Sequence, residues 1–191
     1  KYLQVFSHII TCLVEGEFMQ MEDVYRIDQG IERYMTKTQK KTADFMEGCM
    51  ELGGLLGGWI EAEIVELKKY GHALGMAFQI TDDIMDYRET TETTGKPVGN
   101  DLREGLLTYP LLSIVNDDNK DKLLADIKAL NNGGDEQVII DYVIGQGGID
   151  NTLAVAHQYC KDALAALDAV RDFPGKEFLV MAVENLADRK V

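Results

Sequence analysis

Phe78-Gln79-Ile80-Thr81-Asp82-Asp83-Ile84-Met85-Asp86-Tyr87 sets three carboxylates and an amide into otherwise apolar sequence. On a helix of about 3.6 residues per turn, Asp82 and Asp86 stack one above the other. Asp83 lies about 100° round from Asp82, and Gln79 falls in the same arc one turn earlier. One face is therefore expected to carry the three acids and the amide, with Phe78, Ile80, Ile84 and Met85 directed elsewhere. Like charges at this spacing destabilise an isolated helix by roughly 0.2–0.5 kcal/mol per pair. The nearby cations in sequence are Arg88 and, beyond a loop, Lys96. Clustered carboxylates suit a hard divalent cation such as Mg²⁺, which takes one or two of them together with waters and phosphate oxygens. Read alone, the triplet fits a solvated acidic face equally well. An EF-hand fails on spacing: a calcium loop begun at Asp82 puts Tyr87 where glycine is needed and Thr93 where the bidentate glutamate belongs.

Composition narrows the class. The 191 residues suffice for a single domain with a sizeable core, 1–191. With 46% hydrophobic and 27% charged residues the chain reads as globular, and three prolines with little β-branched alternation point to an all-α fold. A net charge of −14 argues against nucleic acid or an anionic membrane as a partner held by bulk electrostatics. An anionic substrate stays compatible where metal ions and a few placed cations neutralise it. Cys12, Cys49 and Cys160 are far apart and follow no ligand spacing, so they are expected to be buried free thiols in a reducing compartment. No apolar run approaches the ~20 residues that span a bilayer.

Helical periodicity runs from about Tyr2 to Met21 through Val5, Ile9, Cys12, Leu13 and Phe18. Glu17 and Gln20, one turn apart, read as a solvent-facing polar pair. A connection ending in Asp28-Gln29-Gly30 leads to a second helix through Tyr34, Met35, Thr38, Phe45 and Cys49. Within it, Lys41-Thr42 is a candidate diphosphate contact, an ammonium point charge beside a hydroxyl donor. A solvated lysine run with Lys37 and Lys40 is the plainer alternative. Gly53-Gly54-Leu55-Leu56-Gly57-Gly58 marks a break or a close backbone approach. A long helix, Trp59 to Arg88, follows; His72 on it has no partner at ligand spacing and reads as structural or exposed. Residues 89–101 read as a loop that returns Lys96 toward the acids. Further helices are punctuated at 131–135 and 145–148, with His157 and Tyr159 as packing residues. A last helix after Pro174 is expected to face the core with Phe178, Met181, Ala182 and Leu186.

Taken together, Phe78-Gln79-Ile80-Thr81-Asp82-Asp83-Ile84-Met85-Asp86, then Gly95-Lys96-Pro97-Val98-Gly99-Asn100-Asp101-Leu102-Arg103-Glu104-Gly105 and Thr108-Tyr109-Pro110-Leu111, resemble the trans-isoprenyl (polyprenyl) diphosphate synthase family. Gly16-Glu17 with Gln20, and Lys41-Thr42, fall in that family's order. The resemblance implies an orthogonal helical bundle of the isoprenoid synthase type around a central cavity. It also implies Mg²⁺-dependent head-to-tail condensation of isopentenyl diphosphate with an allylic diphosphate. By the same resemblance Asp82, Asp83 and Asp86 hold the metal, Lys41, Thr42, Gln79 and Lys96 contact diphosphate, and Lys41 and Lys96 take catalytic roles on the leaving group.

Two departures qualify it. The family's first aspartate-rich motif, which lies upstream of the second, has no counterpart before Asp82 in this sequence. Leu106 also stands where many relatives carry a lysine. The chain is thus expected to be the C-terminal part of a longer synthase, without its N-terminal helices and inactive alone. A homodimer in the cytoplasm is the implied setting, with transient membrane association through a long product. A non-catalytic partner subunit of a heteromeric synthase and a related class I terpene cyclase are the alternatives.

Overall fold

The structure, a computed structural model, describes residues 1–88 and 99–189. Among these every regular element is helical: α1 Tyr2–Glu22, α2 Gly30–Thr38, α3 Asp44–Leu56, α4 Glu61–Arg88, α5 Asn100–Arg103, α6 Tyr109–Leu112, α7 Lys120–Leu130, α8 Gln137–Gly145, α9 Gly148–Asp168 and α10 Lys176–Ala187. A short 3₁₀ turn, Ile27–Gln29, precedes α2, and a π turn, Gln39–Ala43, joins α2 to α3. By contacts the chain forms two compact units. The first holds Lys1–Phe18, Thr36–Gln79 and Val155–Lys190; the second holds Met19–Met35 and Ile80–Ala154.

In the first unit, glycines let helices approach to backbone contact. A Cβ on Gly71 of α4 would lie 2.6 Å from the Met46 carbonyl oxygen of α3, and one on Gly75 would lie 2.6 Å from Ala43 Cα. Gly48 of α3 likewise receives the Ile9 side chain of α1, its nearest atom 2.4 Å from where a Cβ would sit. The core continues through small residues: Ala73, Ala77 and Tyr70 of α4 pack with Cys160, Ala163 and Leu167 of α9 and Val183 and Leu186 of α10. Tyr70 is fully buried but satisfied, its hydroxyl donating to the Leu179 carbonyl at 2.9 Å.

The second unit is built on larger aliphatics. Ile80 and Ile84 of α4, Leu102, Leu107, Leu111, Leu123, Ile127, Ile139 and Ile140 are all buried. Tyr25 adopts φ +58°, an uncommon left-handed backbone, and its ring lies against Gly105, where a Cβ would come within 2.7 Å. Its hydroxyl donates to the Arg103 carbonyl at 2.7 Å and its amide to the Gly105 carbonyl at 2.8 Å. The 103–105 turn is therefore clasped to the connection after α1.

Several expectations are corrected. The helix α3 runs through Gly53 and Gly54 and ends only at Leu56, because Gly54 packs on Ile64, which compensates its low propensity. The break falls at Gly57-Gly58. Phe18 is 62% exposed rather than part of the core stripe of α1. On α10 Phe178, Met181 and Ala182 face outward, whereas Leu186 is buried as expected and Val183, not in the expected set, is buried with it. Cys49 is exposed, while Cys12 and Cys160 are buried as expected.

The glycine contacts predict opposite effects at two positions. Gly75→Ala forces a methyl into the Ala43 backbone and is expected to cost roughly 1–3 kcal/mol in urea unfolding. Gly53→Ala, at a helical site with open space around the new methyl, is expected to stabilise by about 0.4–1 kcal/mol.

Candidate functional site

Five of the residues singled out in the sequence, Lys41, Thr42, Gln79, Asp83 and Asp86, are tied to their surroundings by named contacts, and they divide between the two units. In the first, the π turn carries Lys41 and Thr42. Gly16 of α1 meets this turn closely, since a Cβ there would lie 2.8 Å from Lys41 Cγ. Lys41 Nζ pairs with Glu17 at 2.8 Å, so Glu17 is not merely a solvent-facing partner of Gln20. The missing side chains of Gly71 and Gly75 bring α4 onto the same turn. One result is that Thr42 Oγ1 donates to Gln79 Oε1 at 3.0 Å. A lysine, a hydroxyl and an amide thus gather where α1, the π turn and α4 meet, a set able to present donors to an anion.

In the second unit the three aspartates, expected on one face, have three different environments. Asp82 is exposed. Asp83 is only 3% exposed and points inward, where the hydroxyl of Tyr34, itself 2% exposed, donates to its Oδ2 at 2.5 Å. At this length the bond lies at the short, strong end of the range for a hydroxyl donating to oxygen. Tyr34 is in turn held edge-on by Tyr109, with ring centroids 5.7 Å apart. Asp86 accepts two backbone amides at the start of α5, Asn100 to Oδ1 at 2.9 Å and Asp101 to Oδ2 at 3.0 Å. Its own carbonyl accepts the amide of Gly99 at 2.9 Å. Burial pushes the Asp86 carboxyl up from its ordinary pKa, and the amides of Asp101, Asn100 and Leu102 and the Arg103 charge oppose that shift. Gly99, at φ +76°, supplies the left-handed residue that turns the chain into α5.

Lys96 lies outside the described residues. Tyr34 was read from the sequence only as a core position of its helix. Its partner lies forty-nine residues away, and no local spacing signals that contact. The amides of Asn100 and Asp101 carry no local signal either, although the segment that supplies them is part of the motif.

The polyprenyl synthetase family model matches residues 1–144. The chain belongs to that family. It is 33% identical over 167 residues to heptaprenyl diphosphate synthase component 2 of Geobacillus stearothermophilus, covering 87% of this chain and 52% of the relative. To the octaprenyl diphosphate synthase of Escherichia coli K12 it is 32% identical over 183 residues, covering 94% of this chain and 57% of the relative. The chain therefore spans about half the length of these relatives. The fold agrees: the crystal structure of heptaprenyl diphosphate synthase from Staphylococcus aureus matches with a TM-score of 0.89 at 27% identity, over 100% of this chain and 60% of that one. A polyprenyl synthase of Caulobacter crescentus CB15, complexed with calcium and isoprenyl diphosphate, matches with a TM-score of 0.88 at 29% identity, over 100% and 60%. The all-α isoprenoid synthase fold expected from the aspartate-rich stretch is thus the fold of this chain.

The Tyr34–Asp83 contact yields a stability prediction. Tyr34→Phe keeps the ring packing and deletes one donor to a buried carboxylate, and is expected to cost roughly 1–3 kcal/mol. Chemical denaturation of the variant against the unaltered protein measures it.

Proposed function

We propose that this chain is the part of a Mg²⁺-dependent polyprenyl diphosphate synthase that carries the family's second aspartate-rich motif. The parent enzyme joins isopentenyl diphosphate to an allylic diphosphate head to tail. The observation that carries this reading is the way the aspartates are held. Tyr34 fixes Asp83 and two amides of α5 fix Asp86, while Asp82 stays open to solvent. Fixed carboxylates within one turn and a half of helix are an all-oxygen donor set, which fits a hard cation such as Mg²⁺. In this reading Asp82, Asp83 and Asp86 are the metal-holding acids, with Asp82 the most accessible. When bound, the metal neutralises charge on a departing diphosphate.

The chain's own residues do the rest. Lys41 and Thr42 offer an ammonium and a hydroxyl to diphosphate oxygens, and Gln79 holds the Thr42 hydroxyl in place. Lys41 rests on exposed Glu17, a surface-type pair worth little, so exchanging that carboxylate for a diphosphate costs little. Lys96 completes the set in the proposal. The leaving diphosphate serves as proton acceptor, and no side chain is assigned as general base. An apolar site that excludes water protects the allylic cation from capture.

Among the described residues no helix is long and apolar enough to cross a membrane. We place the parent protein in the cytoplasm as a homodimer, touching membrane only through a long product. Two relatives are named component 2 of a heptaprenyl diphosphate synthase, which supports a second reading in which a different subunit works beside this one.

Asp82→Ala in the parent enzyme is expected to abolish Mg²⁺-dependent incorporation of isopentenyl diphosphate while far-UV circular dichroism stays unchanged. Normal turnover by that variant would remove Asp82 from the site. Residues 1–191 alone are expected to show no condensation with an allylic primer, and a normal rate would contradict the need for a first aspartate-rich motif.

A further inference from the structure

In the first unit, the same glycine contacts bring a second group of ligating side chains together. Asp44 and Glu47 are one turn apart on α3, and His72 follows Gly71 on α4. Gly71 lies against the backbone of Met46 and Glu47, and Gly75 against that of Ala43, so the segments that carry the three side chains touch. His72 Nδ1 lies 3.6 Å from Glu47 Oε2. One donor atom from each of Asp44, Glu47 and His72 lies within 4.8 Å of the others. We propose that Asp44, Glu47 and His72 form a binding site for one divalent first-row transition ion of the zinc or cobalt(II) type, separate from the Mg²⁺ motif.

Donor chemistry sets the class. Imidazole nitrogen with carboxylate oxygen suits Zn²⁺ or Co²⁺, whereas Mg²⁺ favours oxygen alone. Metal-to-ligand distances of about 2.0–2.2 Å in a tetrahedral site put donors roughly 3.4 Å apart. The His72–Glu47 separation already matches that, and the widest gap closes by rotation of the half-buried Glu47 and His72 side chains. A cleft of about 830 Å³ opens over Glu47, Lys68 and His72, leaving room for water to complete the coordination.

Charge and hydrogen bonding agree. Asp44, largely buried, accepts from Gln39 Nε2 at 3.3 Å, which orients the carboxylate. The Glu47 carboxyl is held below its ordinary pKa, first by His72 and then, beyond the cost of burial, by Lys68, so it is ionised at neutral pH. Lys68 is the competitor for the site. It lies 3.3 Å from Glu47 but 2.7 Å from Glu51, and it keeps Glu51 when Glu47 turns to the ion. Asp44, Glu47 and Glu51 less Lys68 leave a formal charge that a divalent ion balances. Cys12, beside Asp44, has its pKa pushed up to about 11, chiefly by burial and then by Asp44.

Calorimetric titration of the full chain with Zn²⁺, in excess Mg²⁺ to fill oxygen-only sites, tests this. One equivalent is expected to bind, and Co²⁺ is expected to give a visible d–d absorption band. His72→Ala is expected to weaken binding at least about 100-fold, the upper end of what losing even an outer-shell partner costs. Lys68→Met is expected to tighten it several-fold. The near-isosteric pair Asp44→Asn and Glu47→Gln repeats the test should His72→Ala fail to fold. The proposal is overturned if no stoichiometric Zn²⁺ binds in excess Mg²⁺. It is also overturned if folded His72→Ala binds unchanged, or if Cys12→Ser removes the binding that His72→Ala keeps. None of these outcomes bears on Asp82, so the proposed synthase activity stands or falls separately.

Discussion

Backbone contact at Gly71 and Gly75 is the constraint on which the first unit depends. Two missing Cβ atoms let α4 lie directly on the segment from Thr42 to Glu47. That approach creates the Thr42–Gln79 hydrogen bond on one side and the Glu47–His72 contact on the other. Side chains as large as alanine at either glycine would push the helices apart by more than hydrogen bonds of this kind tolerate. Glycine's cost in a helix, about 1 kcal/mol relative to alanine, is offset here by packing that no other residue permits. The small residues Ala73 and Ala77, on the same helix, extend the close approach to α9 and α10.

The second unit solves a different problem, that of holding like charges close together. Repulsion among Asp82, Asp83 and Asp86 is relieved by giving each its own surroundings. A tyrosine hydroxyl takes Asp83, two amides at the start of α5 take Asp86, and solvent takes Asp82. Hydrogen bonds to the charged form favour ionisation, and burial opposes it; for Asp86 burial is the larger effect. The clasp of Tyr25 on Gly105 steadies the turn that delivers those amides. Preorganised carboxylates of this kind are what a site needs if it is to receive a cation without rearranging.

Much of this could be read in the residues themselves. Helical periodicity located the long helices, and the turn chemistry at 131–135 and 145–148 located their ends, because both signals are local. The motif from Phe78 to Gly105 carried the family, and the polyprenyl synthetase match agrees with it. Failures came where a contact was not local. Tyr34 looked like one more apolar position, and nothing near it in sequence announces Asp83. His72 looked partnerless because Glu47 lies on another helix. Phe178 and Met181 follow the helical period as well as Val183 does, and only packing against α9 selects the face. The Gly53–Gly58 run allowed either a break or a close approach, and the chain uses both, Gly54 on Ile64 and the break at Gly57-Gly58.

The central claim is that the Asp82–Asp86 turn receives a divalent metal together with diphosphate. Electron paramagnetic resonance of Mn²⁺ with the parent protein, with and without inorganic pyrophosphate, tests it most directly. The account predicts that pyrophosphate increases protein-bound Mn²⁺ and that Asp82→Asn removes the increase. Pyrophosphate-dependent Mn²⁺ binding that persists unchanged in Asp82→Asn would contradict it.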